Sequence, residues 1–205
     1  MKKIFVILAA VLVVGAFFAF AQSGVDPISK MEERLRSYDA IETAYRFTVT
    51  NKEGKVVVDE PGTFYQEGEC FLVKSYSLDI YCDGESKMIY NRMFDEITII
   101  GHDPSNGNMS ENPFVVLTDT KANYTYVFEN DKVVLTPKNG SADHTSVEIV
   151  LSPNDFSIKS ITYFAPSGSY RAEVQSLKGV DKKGGEFYTI NLDEVSDDVV
   201  INDLR

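Results

Sequence analysis

An alternation of apolar and polar residues with a period of two runs through most of this 205-residue sequence. It begins near Glu42, and turn-forming residues such as Asn-Lys-Glu-Gly and Asp-Gly interrupt it roughly every ten residues. The pattern is typical of antiparallel strands joined by short turns, whereas a βαβ protein alternates strands with helices. It predicts about eleven or twelve strands, over residues 42–50, 56–59, 63–66, 70–74, 78–82, 87–91, 96–100, 124–129, 132–136, 144–151, 158–165 and 170–177.

One helical segment precedes the strands. Asp26 suits an N-cap, and Pro27 suits the first position of a helix. Apolar residues then recur at helical spacing, at Ile28, Met31, Leu35 and Tyr38. A second, shorter helix is predicted over residues 113–117, after a polar loop over residues 101–112.

So long an antiparallel sheet has to twist and curl, and two helices supply too little apolar material to fill it. The expected fold is therefore mainly β with an α lid. It is a single curved antiparallel sheet, a half-open barrel, covered by the N-terminal helix and the short central helix. Such a fold encloses an apolar cavity that suits a lipid-like ligand. A two-sheet sandwich with a solid core is the alternative, and the alternation alone does not decide between them.

The alternation also predicts which side chains line the concave face, because every second residue of a strand points to the same side. A slip of one residue would exchange the two faces. The predicted lipid-binding cavity consists of strand residues covered by Met31 and Leu35 of the first helix and by Phe114 and Leu117 of the second. The strand residues are Phe47, Val49, Phe64, Phe71, Ile80, Tyr90, Ile97, Ile99, Tyr126, Phe128, Val147, Ile149 and Tyr163.

The N-terminus has the features of a secretory signal. Lys2 and Lys3 precede an unbroken apolar stretch, residues 4–20, which ends in an Ala-x-Ala sequence at Ala21. This arrangement predicts a signal peptide over residues 1–21 that is cleaved after Ala21, and a membrane anchor is the alternative. Residues 22–205 are then expected to form one domain of an exported protein.

The charge balance excludes one class of partner. The chain has 20 Lys and Arg against 31 Asp and Glu, a net charge of −11. Removal of residues 1–21 takes away two lysines, which leaves 18 − 31 = −13. Nucleic acids require a basic surface, so a nucleic-acid partner is not expected.

The chain contains two cysteines, Cys70 and Cys82. They fall on two neighbouring predicted strands, at equal distances from Tyr76, and would face each other if the turn were centred there. An exported protein can form disulfides, so a bond between these cysteines is predicted, with two reduced thiols as the alternative.

A hydrolase is a second class to consider. His102 and His144 are the only imidazoles, and a Ser–His–Asp site would need one of them. Neither lies near a Gly-x-Ser-x-Gly segment, and both are interpreted as surface histidines. Acidic pairs such as Asp193-Glu194 lack the spacing of a calcium loop. The sequence therefore predicts no catalytic residues, no metal site and no cofactor.

Several segments resemble the LolA-like family of periplasmic lipoprotein carriers over nearly the whole chain after residue 21. The first strand, residues 41–50, is similar to the family's first strand, and residues 61–65 (Pro-Gly-Thr-Phe-Tyr) to its next hairpin. Residues 81–91, Tyr-Cys-Asp-Gly-Glu-Ser-Lys-Met-Ile-Tyr-Asn, resemble a family turn and strand. Asn112-Pro113-Phe114 resembles the family's short central helix, and residues 199–205 resemble the tail of a Bacteroides-type branch.

The resemblance implies a monomeric periplasmic protein that shields the acyl chains of lipoproteins and carries them from the inner to the outer membrane. It implies an inner-membrane ABC-type release complex as donor and an outer-membrane acceptor. Leu35 matches a cavity position of the family, and either Phe71 or Leu72 matches another. Residues 66–71 lack the arginine that holds the family's lid closed. An envelope-stress sensor or interaction module of the same fold, which binds lipids or lipoproteins without moving them, is the alternative.

Overall fold

Twelve strands form one sheet in the computed structural model, which describes residues 26–103, 108–117, 120–129, 131–141 and 143–205. The predicted signal peptide, residues 1–21, lies outside the described residues. Within the described ranges, no helix has the length and apolar character needed to cross a membrane. The strands are β1 Ala40–Asn51, β2 Val56–Glu67, β3 Cys70–Ser75, β4 Leu78–Cys82, β5 Ser86–Asn91, β6 Glu96–Gly101, β7 Tyr124–Glu129, β8 Lys132–Pro137, β9 Ser146–Leu151, β10 Ile158–Ala165, β11 Gly168–Val180 and β12 Val200–Asp203.

The strand order is β12-β6-β5-β4-β3-β2-β1-β11-β10-β9-β8-β7, so β1 lies near the middle with one arm of the sheet on each side. Neighbouring strands are antiparallel except β12 and β6, which are parallel. The prediction of a single curved sheet is confirmed, and the sandwich alternative is wrong. Strand β12 was missed, and it makes one edge of the sheet parallel.

The first helix, α1, spans Pro27–Arg36. Asp26 caps it as predicted, because its carboxylate accepts a hydrogen bond from the Ile28 backbone N–H at 3.1 Å. Ile28 and Met31 are fully buried against the sheet. The helix ends near Ser37, whose hydroxyl bonds back to the Arg34 carbonyl.

The predicted central helix is shorter than expected. Val115–Leu117 forms a single 3-10 turn, and the helix α2 occupies Thr120–Asn123. Asn112 begins this region, since its side-chain oxygen accepts a hydrogen bond from the Phe114 backbone N–H at 2.9 Å. The connection from β6 to β7 thus crosses from one arm of the sheet to the far edge of the other, and its described residues contain little regular structure.

The strand register assigns each side chain to a face, because directly paired residues lie on the same side of a sheet. One row of paired residues crosses β2 to β6 on the concave side: Phe64, Val73, Ile80, Ile89 and Thr98. Across β1, β11, β10, β9 and β8 a second row contains Phe47, Ala172, Ile161, Ile149 and Val133. Most of these side chains belong to one hydrophobic core together with α1.

Tyr90, Ile97 and Ile99 lie on the outer face, so their assignment to the cavity is wrong. Tyr90 pairs with Ile97, and both alternate with the concave row. The physical reason is that β5 and β6 carry apolar residues on both sides, which hides the parity of the alternation.

The segment after β11 covers this outer face. Phe187 packs edge-on against Tyr65 at 5.2 Å between ring centroids, and the Ile190 backbone N–H points at the Met88 sulfur at 3.4 Å. Tyr188 is buried, and its burial raises its pKa to about 12. The chain then returns to the sheet edge as β12. The sheet therefore has a second, smaller core on the side opposite α1.

The predicted bond between Cys70 and Cys82 is wrong, and both residues are free thiols. Cys82 pairs with Phe71, one position away from Cys70. The Ser75 hydroxyl accepts the Leu78 backbone N–H at 3.1 Å, which centres the turn between residues 76 and 77. The Cys70 thiol instead donates to the Asp83 carbonyl at 3.1 Å.

The two thiols should differ in reactivity. Cys82 is fully buried and its pKa is raised to about 11 by burial, whereas Cys70 is half-buried. Because the thiolate is the reactive form, we expect iodoacetamide to label Cys70 slowly in the native protein and Cys82 only after unfolding. A Cys70→Ser variant should then show no labelling until it is denatured. Peptide mapping that finds the two cysteines joined in purified, unreduced protein would contradict this expectation.

Candidate functional site

The concave face is the candidate site, and most of the predicted cavity residues share it. Eight are buried there: Met31, Phe64, Phe71, Ile80, Phe114, Val147, Ile149 and Tyr163. Five are half-buried around them: Leu35, Phe47, Val49, Leu117 and Tyr126. Phe128 has the concave parity but lies exposed on the edge strand β7.

Phe114 occupies the centre of the concave face. Its ring stacks on Phe64 at 4.8 Å between centroids and meets Tyr45 edge-on at 5.4 Å. Both partners are strand residues, whereas Phe114 belongs to the connection between β6 and β7. We call residues 108–117 of this connection the covering segment. A side chain of the covering segment thus fills the space that an apolar ligand would need.

Tyr163 attaches this covering segment to the sheet. Its hydroxyl donates to the Pro113 carbonyl at 3.1 Å and accepts the Val116 backbone N–H at 3.2 Å. Burial raises the pKa of Tyr163, so the hydroxyl stays protonated and keeps both bonds. Thr120 adds a buried hydrogen bond to the Val116 carbonyl at 2.8 Å. Tyr163 was predicted to line the cavity, but no sequence pattern indicates its anchoring role.

Helix α1 is attached at both ends by polar contacts. Asp26 forms an ion pair with Lys121 at 2.5 Å and accepts the Tyr126 hydroxyl at 3.3 Å. Burial alone would raise the pKa of Asp26, but its bonds to Lys121 and Ser29 lower it overall. At the other end Arg34 pairs with Asp155 at 3.0 Å. These contacts join α1 to α2, to strand β7 and to the loop between β9 and β10.

A groove of about 640 Å³ lies between the two arms of the sheet, beside the covering segment. Phe71 and Lys87 line it from one arm, and Tyr124 and His144 line it from the other. Met109 and Val116 of the covering segment form part of its wall. The groove is of mixed polarity, unlike the apolar concave centre beneath Phe114.

A partly buried ion pair marks one wall of the groove. Lys87 lies on the concave side, opposite Cys82, and its ammonium contacts Glu111 at 2.6 Å. Glu111 also lies within 3.4 Å of the Asn108 amide. A buried ammonium is costly without a partner, so this contact ties the covering segment to β5.

Both histidines line the groove, where each is half-buried and still reaches solvent. His102 meets Phe71 edge-on at 5.9 Å, and burial lowers its pKa. His144 lies between Tyr124 and Tyr163, with Nε2 3.0 Å from the Tyr124 hydroxyl. Burial lowers the pKa of His144 as well. Both rings therefore pack against aromatic neighbours. No cluster of metal-ligating side chains occurs in the part of the chain that the structure describes.

No protein-family model matches the sequence, and no curated protein matches it. Solved structures do match. An uncharacterized conserved protein from Thermus thermophilus has a TM-score of 0.52 at 8% identity, over 86% of this chain and 96% of that one. A LolA superfamily protein from Nitrosomonas europaea has a TM-score of 0.47 at 10% identity, over 80% and 96%. A DUF1329 family protein from Desulfovibrio piger gives 0.47 at 8% identity, over 80% and 95%.

At these identities the likeness concerns the fold alone. The Thermus protein is similar over most of both chains, which places this sheet and its covering segments among known architectures. What the concave face binds has to be argued from its own side chains.

The Asp26 carboxylate has two roles that substitution can separate. Asp26→Ala removes the helix cap and the ion pair with Lys121, and we expect it to cost about 1 kcal/mol or somewhat more of unfolding free energy. Asp26→Asn keeps a capping oxygen and loses the charge, so its cost should be smaller but measurable. Urea unfolding near neutral pH gives both values. An Asn variant as stable as the unchanged protein would show that the ion pair contributes nothing.

The histidines predict how stability changes with pH. Their pKa values are lower in the folded protein than in the unfolded chain, where a histidine titrates near about 6.5. Protons therefore bind the unfolded state more strongly, and stability should fall as the pH drops below about 6.5. His102→Gln with His144→Gln should flatten this part of the profile, measured by urea unfolding between neutral and mildly acidic pH. An unchanged slope would mean that other groups titrate there.

Proposed function

We propose that this protein is a periplasmic carrier that holds the acyl chains of lipoproteins against its concave face and moves them from the inner to the outer membrane. One observation carries the proposal. The apolar concave face of the sheet is covered by a ten-residue helix and an irregular connection, instead of by a second sheet. Both covers join the sheet through a small set of polar contacts.

The contacts of the covers suit a site that opens and closes. Asp26 with Lys121, Arg34 with Asp155, and the Tyr163 hydroxyl are short-range polar links, and each can exchange for water when a cover moves. Displacement of Phe114 would uncover Phe64 and Tyr45 at the centre of the face. An acyl chain placed there would recover the lost burial, at about 0.8 kcal/mol for each methylene.

The proposed cycle needs a donor and an acceptor. Cargo would come from an inner-membrane ABC-type release complex and leave to an outer-membrane acceptor. A carrier has to release what it binds, so the closed arrangement with Phe114 in place serves as the competitor that favours release.

A pair of phenylalanines on opposite faces tests the proposal. Phe47 is half-buried on the concave side of β1, and Phe164 is 41% exposed on the outer side of β10. We expect Phe47→Glu to weaken binding of a fluorescent fatty-acyl probe roughly ten-fold or more, because a carboxylate in an apolar site resists desolvation. Phe164→Glu is the matched control and should bind the probe normally.

Thermal unfolding of the same variants separates binding from folding. Both proteins should remain folded, since each phenylalanine already contacts solvent. Equal loss of probe binding in the two variants, or no effect of Phe47→Glu on a probe that the unchanged protein binds, would contradict the concave site. Mass spectrometry of an organic extract of protein purified from its native envelope would identify the acyl cargo.

A further inference from the structure

Three turns at one end of the sheet expose large apolar side chains. The β1–β2, β3–β4 and β5–β6 turns lie at the same end, because successive antiparallel strands reverse direction. Tyr76 of the second turn is 82% exposed, and Met93 and Phe94 of the third are 73% and 72% exposed. We call residues 51–57, 74–77 and 91–95 together the apolar tip.

Hydrogen bonds join the turns of the apolar tip. The Arg92 backbone N–H donates to the Ser77 carbonyl at 3.1 Å, which links the third turn to the second. The Ser77 hydroxyl donates to the Glu60 carboxylate of β2 at 3.1 Å. The Arg92 guanidinium pairs with Asp79 at 2.5 Å. Tyr76, Met93 and Phe94 are therefore presented together on one supported surface.

The charge of the apolar tip opposes that of the chain. Its cations are Lys52, Lys55, Lys74 and Arg92, and its anions are Glu53 and Asp95. Asp79 beneath the tip neutralises Arg92, so the local net charge is 4 − 3 = +1. The whole chain carries −11. An anionic surface would thus attract this end of the molecule while the remainder is repelled, so the field of the protein favours one orientation.

The concave face reaches solvent at the same end. Along β1, Ile41 and Tyr45 are buried, whereas Phe47 and Val49 toward the tip are half-buried. Val49 pairs with Val58, which is exposed at the base of the first turn. Apolar side chains of β1 and β2 thus extend from the candidate site to the first turn of the apolar tip.

We propose that the apolar tip docks on the surface of an anionic lipid bilayer, with Tyr76, Met93 and Phe94 inserted at the boundary between headgroups and acyl chains. The exposed apolar side chains stand on separate turns and have lysines beside them, an arrangement that suits a deformable lipid surface. Aromatic side chains also prefer the interface between headgroups and acyl chains. The lysines lie near the level of the headgroup phosphates and strengthen binding to anionic lipid. The docking requires no bound cargo and extends the proposed function to the step at the membrane.

The absence of tryptophan from the sequence allows a direct test. Phe94→Trp places a single tryptophan at the apolar tip, and Leu204→Trp places one at an apolar residue that is 69% exposed at the other end of the sheet. On addition of phosphatidylethanolamine–phosphatidylglycerol vesicles, the emission of the first variant should shift to the blue and be quenched by brominated lipid. The second should not respond. No response at residue 94, or an equal response at both positions, overturns the proposal.

Loss of binding supplies the second measurement. Met93→Ser combined with Phe94→Ser should reduce co-sedimentation with the same vesicles about ten-fold or more, since both side chains leave the interface. Leu204→Ser is the control and should bind normally. Lys52→Gln with Lys55→Gln should weaken binding to these vesicles and leave phosphatidylcholine vesicles unaffected, whereas Lys182→Gln with Lys183→Gln, at the other end of the sheet, should change neither. Equal effects of the two lysine pairs would contradict docking through the tip.

Docking and acyl binding can fail separately. The Met93→Ser, Phe94→Ser variant should bind the fluorescent acyl probe in solution with unchanged affinity, because neither residue lies on the concave face. Loss of vesicle binding with normal probe binding supports the docking surface. A protein whose tip variants still bind vesicles fully overturns it, whatever the probe shows. A tip that serves a protein partner instead of a bilayer would give no vesicle response in either experiment.

Discussion

A sheet that curls without closing leaves one apolar face that has to be covered by something other than strands. In this chain Phe114 covers the centre of that face by stacking on Phe64. The remaining covering contacts are arranged around it. Tyr163 holds the backbone on either side of Phe114, and Met31 of α1 belongs to the same core. Removal of this one stack would leave the curved sheet without its central contact to the covers.

The sequence specified the concave face well where the opposite side of a strand is polar. Phe47 and Val49 were assigned correctly because Arg46 and Thr48 alternate with them. On β6, isoleucine occupies both faces, and the alternation gave no basis for choosing between them. The error followed from a physical fact: this part of the sheet is buried on both sides, so both sides need apolar residues.

Other features depend on geometry that spacing along the chain does not contain. The register of the β3–β4 hairpin is fixed by the Ser75 hydroxyl, and a shift of one residue separates Cys82 from Cys70. His102 and His144 lie far apart in sequence, and the crossing of the β6–β7 connection brings them to one groove. The C-terminal segment has no periodic pattern, so neither its packing over Tyr65 nor strand β12 could be predicted.

The cover of Phe187 and Tyr188 over the outer face has a consequence for how the molecule tolerates change. Ile97 and Ile99 are buried there, apart from the cluster that contains Phe114. The arm that contains β5 and β6 is consequently stabilised from its outer face. These contacts do not involve α1 or the β6–β7 connection. The outer core therefore supports these strands independently of the contacts made on the concave face.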